Sequence, residues 1–156
     1  MKITKVLVPC LFMLVAVGSK AQTSTEITDE DLKKYAITMD SVEAMQESLR
    51  QIVAETVQKN TVMPVARYNE LFKIIDDEAK LKATNATSDE IKFVQQINDL
   101  RKVNIERINA TYQALAKDYV GVKTFNAIRK SLQSDQALKA RYDNVSKDIE
   151  SKEKGG

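Results

Sequence analysis

The sequence predicts an all-α protein: an antiparallel helical bundle made of two repeated long-helix/short-helix hairpins, closed by a short C-terminal helix. Three observations predict it. Beyond residue 21 the only proline is Pro64 and the only glycines are Gly121, Gly155 and Gly156, too few turn residues for a fold of strands and tight turns. Apolar residues recur at steps of three and four over two stretches of about 30 residues, the mark of long amphipathic helices. The segment VARYNELFKIIDDEAKLKA, residues 65–83, returns 57 residues later as VKTFNAIRKSLQSDQALKA, residues 122–140. Six of the 19 aligned positions are identical, and Tyr68/Phe125, Leu71/Ile128 and Ile75/Leu132 are conservative pairs.

The chain opens with a basic leader (Lys2, Lys5), an apolar run from Val6 to Val17, and small residues at Ser19 and Ala21. This is the layout of a secretory signal peptide over residues 1–21, cleaved after Ala21. The apolar run is shorter than the ~20 residues a membrane span needs. Pro9 and the short upstream run disfavour Cys10 as a lipid anchor. Residues 22–27 read as a polar linker, and residues 28–148 as one helical domain.

Thr28 with Asp31 forms a capping box at the first helix start, Ile27 and Leu32 a hydrophobic staple, and Asp29, Glu30 and Asp31 favour the positive end of the helix dipole. The electrostatic role is preferred over a calcium site for this acidic triplet. Leu32, Tyr35, Ala36, Met39, Val42, Met45, Leu49, Ile52, Val53 and Val57 then trace one apolar stripe to about Lys59. Met39 and Met45 read as core filling. Pro64 suits the first turn of a second helix burying Val65, Tyr68, Leu71, Phe72 and Ile75. Thr87 and Glu90 form the next capping box, and Ile91, Val94, Ile97, Leu100, Ile105, Ile108, Tyr112, Leu115 and Tyr119 carry the second stripe. Gly121 breaks it. A shorter helix then buries Val122, Phe125, Ile128 and Leu132, and Ser134 with Asp135 restarts the chain through Leu138 and Tyr142. Residues 149–156 read as a disordered tail. Neither hairpin buries its stripe alone, so two packed face to face form a four-helix core.

Charge and composition narrow the chemistry. Loss of Lys2, Lys5 and Lys20 with the leader leaves 21 basic against 22 acidic residues, so the mature chain has no basic footprint for nucleic acid. With no His and no Cys beyond Cys10, the usual nucleophile–base dyads, zinc sites and disulfides have no residues to form them. No Gly-rich phosphate loop is present. Carboxylate pairs such as Asp76–Asp77 fall on the outer face and read as solvated. No catalytic residue, cofactor or metal is expected. The sequons at Asn85, Asn109 and Asn144 read as chance.

The repeated motif is the remaining candidate site: Tyr68, Asn69 and Leu71 in one copy, Phe125, Asn126 and Ile128 in the other. Asn is a poor residue for a helix interior. The preferred role for Asn69 and Asn126 is structural, a half-buried amide holding a hairpin junction through its donors and acceptors. The alternative is a ligand shared between two amides that face each other.

The segments ITDEDLKKYAITMDSVEAMQESL and YVGVKTFNAIRKSLQSDQALKARY resemble the bacterial domain-of-unknown-function family 4168. Its acidic opening is matched by Asp29, Glu30, Leu32 and Tyr35, and its closing segment by Phe125, Asn126, Ile128, Asp135 and Leu138. The resemblance spans residues 27–142 with a weak middle, and implies an exported helical protein without an assigned activity. The expected function is that of a non-enzymatic, exported helical-bundle protein of the bacterial envelope, a structural or protein-binding accessory in the periplasm, at the outer membrane or outside the cell. Its partner would be an envelope protein or surface component, and a homodimer is compatible. A periplasmic holdase sheltering clients in a helical cradle is the alternative, and a carrier of a small apolar ligand the third.

Overall fold

Two Thr-led capping boxes start the two long helices on which everything else packs. The structure, a computed structural model, describes residues 26–154; the expected leader and residues 22–25 lie outside them. At the first box the Thr28 amide donates to Asp31 Oδ2 at 3.0 Å and the Asp31 amide donates to Thr28 Oγ1 at 3.1 Å. Helix α1 follows as Asp29–Lys59. At the second box the Thr87 amide donates to Glu90 Oε2 at 2.8 Å and the Glu90 amide to Thr87 Oγ1 at 3.2 Å, opening α4, Ser88–Ala114. Between them lie α2, Val65–Phe72, and α3, Glu78–Ala83. Beyond α4 come α5, Val122–Ser131, and α6, Gln136–Lys154. The described residues contain helix and no strand, as turn scarcity and periodicity predict.

Helices α1 and α4 run antiparallel. Val57 near the end of α1 shares a cluster with Val94 and Ile97 near the start of α4, whereas Leu32 and Tyr35 near the start of α1 pack with Tyr112 near the end of α4. The other helices cover the two ends. Tyr68 and Leu71 of α2 and Leu81 of α3 complete the first cluster; Phe125 and Ile128 of α5 and Leu138 of α6 complete the second. Aligned positions of the sequence repeat therefore lie buried at opposite ends of the α1–α4 pair. Along α1 the interval from Leu32 to Val57 is about 37 Å at 1.5 Å per residue.

This arrangement differs from a single four-helix core. The stripe of α1 is buried at Leu32, Tyr35, Ala36, Val42 and Val57, but Ile52 is 43% exposed, and on α4 Ile105 and Val103 are exposed too. The expected burial of Val65 and Val122 is also corrected: both are exposed. Each is the first residue of a short helix, so its side chain falls ahead of the turn that faces the cluster. Thr38 is fully buried, a position without apolar signal, because its hydroxyl returns a 2.9 Å bond to the Lys34 carbonyl.

Three boundaries also move. Pro64 stands as the N-cap of α2 with extended backbone, its carbonyl accepting from the Tyr68 amide at 3.1 Å. The second long helix passes through a π-helical turn, Leu115–Gly121, before Gly121 redirects the chain at φ +89°. The C-terminal helix is 19 residues long instead of short, and reaches Lys154. The expected tail at 149–156 is therefore helical through residue 154, with 155 and 156 outside the described residues. Leu138, Tyr142 and Val145 pack on the second cluster at steps of four and three. Ile149 extends that stripe along a shallow groove shared with Asp29, Glu30 and Lys33 of α1.

Candidate functional site

The break between α1 and α2 shapes a cleft, and one amide organises it. Asn60 caps the end of α1: its side-chain nitrogen donates to the Val57 carbonyl, and its Oδ1 accepts from the Val62 and Met63 amides, each at 2.9 Å. Met63, thus held, is buried in the first cluster. The chain re-enters as α2 with Tyr68 directed inward, stacked on Phe72 at 5.7 Å and set edge-on to Phe93 at 6.2 Å. Aromatic pairs of this geometry add to the stabilisation from burial alone.

Arg67 then ties α2 to its neighbours. Its Nε donates to Glu90 Oε1 at 3.2 Å, one terminal nitrogen to Glu70 at 2.9 Å and the other to the Thr84 carbonyl at 3.0 Å. One side chain thereby holds the α3 C-terminus and the α4 N-terminus together. Glu90 is held below the ordinary carboxylate range, first by the Thr87 amide and then by Arg67. At the other end Arg141 does similar work: it donates to Asp29 Oδ1 at 2.6 Å and to the Ile27 carbonyl at 3.1 Å, fixing α6 to the start of α1. The acidic triplet at 29–31 is accordingly occupied by an ion pair and a capping box. Asp77, one of the paired carboxylates, caps α3 through the Lys80 amide at 3.1 Å and pairs with Lys80 Nζ at 2.8 Å. That ion pair first, and the cap bond second, lower its pKa, which suits a fixed anion and not a proton shuttle at neutral pH. Among the described residues no group of three or more acidic, His or Cys side chains is placed to hold a metal ion.

Between these anchors lies a cleft of about 430 Å³. Leu49, Val53, Ala54 and Val57 of α1, Val65, Tyr68 and Phe72 of α2, and Arg101 of α4 line it, with Arg50, Gln58 and Asn69 at its edge. The floor is buried at Val57 and Tyr68 and half-buried at Leu49, Val53 and Phe72, while Arg50, Ala54, Gln58, Val65 and Asn69 form an exposed rim. The volume falls within the range of ligand clefts, and most of the lining is apolar. A second depression of about 530 Å³, lined by Ala66, Asn69, Glu70, Lys73, Ile74, Lys80, Ala83 and Thr84, has no buried residue in its wall and is a surface hollow.

The repeated motif is divided by this geometry. Tyr68 and Leu71 are core at the cleft end; Phe125 and Ile128 are core at the other, where Phe125 contacts Tyr35 at 4.9 Å and Tyr112 at 5.5 Å. Asn69 and Asn126 do not meet. Both are exposed, and neither makes a side-chain hydrogen bond among the described residues, which corrects the half-buried structural role expected of them. Each directly follows the inward-facing aromatic, so the 100° step of the helix turns it toward solvent. The junction amide is Asn60. Asn69 instead stands on the ridge between the cleft and the hollow.

Residues that sequence reasoning passed over complete the site. Arg101 carries its guanidinium 4.9 Å from the Phe72 ring centroid, in the range of a cation–π contact. The Tyr68 hydroxyl is buried and has no hydrogen-bond partner among the described residues. Burial holds it above the ordinary phenol range, and the Arg101 charge offsets part of that rise. Comparison with protein-family models, with curated proteins and with solved structures returns no match to this chain.

Proposed function

We propose that the protein is an exported, non-enzymatic binding module of the bacterial envelope, and that the cleft between α1, α2 and α4 receives an apolar segment of a partner protein. Export rests on the leader at residues 1–21 and on the resemblance to the exported helical family. The observation that carries the docking role is the cleft's section: a buried apolar floor at Val57 and Tyr68 beneath an exposed rim at Ala54, Gln58 and Val65. A carried small molecule needs most of its surface enclosed. A rim this open suits a segment that leaves the cleft on one side and continues into a larger body. Grooves of this kind accept amphipathic helices by their apolar face.

Photo-crosslinking tests the reading. A photoreactive amino acid is placed at Gln58 on the rim, or at Lys123 at the opposite end, and the envelope is irradiated with the protein in place. Specific protein adducts at Gln58, absent at Lys123 and suppressed by Ala54→Lys, are expected. Equal adducts at both positions, or none at Gln58, would contradict a docking role for the cleft.

A further inference from the structure

The electrostatics of the cleft wall identify what its occupant must carry. The lining contains two arginines and no carboxylate. Arg50 is satisfied by Glu47 of its own helix, at 2.7 and 2.8 Å. Arg101 differs: half-buried, it contacts the Phe72 face and has no ion pair among the described residues. Phe72 in turn stacks on Tyr68, which is 5% exposed and whose buried hydroxyl has no partner among the described residues. One wall of the cleft therefore presents a five-donor guanidinium to which no described residue supplies an acceptor. A carboxylate satisfies it, since it accepts at two oxygens and forms its strongest hydrogen bonds with a guanidinium.

Resting on the docking reading above, we propose that the segment bound in the cleft is acidic and apolar: an Asp or Glu side chain flanked by large apolar residues. The carboxylate pairs with Arg101, while the apolar neighbours cover Leu49, Val53, Val57 and Phe72. The apolar contacts supply area, and the anion sets the register of the segment.

The test is to pan a phage-displayed library of 12-residue peptides against the protein produced with its own leader. Enriched peptides are then measured by fluorescence anisotropy. Enrichment of peptides with an acidic residue between apolar ones is expected. Arg101→Gln should weaken their binding about tenfold or more, as loss of a charged hydrogen bond does, and Arg101→Lys should restore part of it. Changing the peptide's Glu to Gln should cost the wild type the same factor, and cost Arg101→Gln nothing further. Peptides that Ala54→Lys displaces but that carry no acid, or that ignore Arg101→Gln, overturn this inference and leave the docking reading standing. If no peptide sensitive to Ala54→Lys emerges, both fall. They also fall if sodium dodecanoate alone binds with the Arg101 dependence, since the occupant is then a lipid carboxylate.

Discussion

Three asparagines show how little a residue type reveals until its helix position is known. Asn60 stands at the end of α1, where free carbonyls and the next amides converge, and its side chain engages three of them. Asn60→Ala should lower stability by about 1–2 kcal/mol in urea unfolding. Asn126→Ala, with an exposed side chain, should change it by less than about 0.5 kcal/mol. A loss at Asn126 equal to that at Asn60 would contradict the assignment. Gly121 is a different case: its φ of +89° suits glycine, yet a Cβ there would meet no atom within 4 Å. The cost of Gly121→Ala is therefore conformational, about 1–3 kcal/mol, and an unchanged urea midpoint would refute it. The chain break at Gly121 was legible because glycine is rare here. The junction role was misassigned because the repeat drew attention to Asn69 and Asn126, whereas Asn60 has no counterpart in it.

At the scale of elements, the capping boxes were readable because donor and acceptor lie three residues apart. The arginine ties were not, because their partners lie 23 and 112 residues away. Their burial ranks them. The Arg67 and Glu90 side chains are 22% and 15% exposed, against 46% and 75% for Arg141 and Asp29, so water screens the second pair more. Thermal melts should show a larger loss for Arg67→Ala than for Arg141→Ala, and the reverse order would contradict Arg67 as the main tie. Acid should act through the same groups. Because Glu90 and Asp31 are held below their ordinary values in the folded chain, the unfolded chain binds more protons as pH falls. Their contribution is complete above the ordinary carboxylate range, near pH 4, and is lost progressively below it. Replacing Glu90 by Gln should flatten the fall in melting temperature between about pH 5 and pH 3; a parallel acid limb in the variant would show that Glu90 is not responsible.

Across the whole molecule, periodicity identified which face of each long helix turns inward, but not how far along that face a third helix extends. Three-four spacing is the same whether a stripe is covered throughout or only at its ends. Here α2 and α3 cover one end and α5 and α6 the other. Ile52 and Ile105, between the ends, stay exposed. The cleft is a consequence of that division, opening where α2 stops short of covering α1. Its apolar members, Leu49, Val53, Val57, Val65 and Phe72, were visible as core candidates. Arg101 was not, since its pairing state depends on contacts no local pattern encodes. No helix among the described residues is long and apolar enough to cross a membrane. The most direct measurement is methyl NMR of the protein titrated with an enriched acidic–apolar peptide. The account predicts shift changes at Leu49, Val53, Val57 and Val65, with Leu32, Ile128 and Leu138 unmoved. Changes centred on the second group, or none at the first, would contradict it.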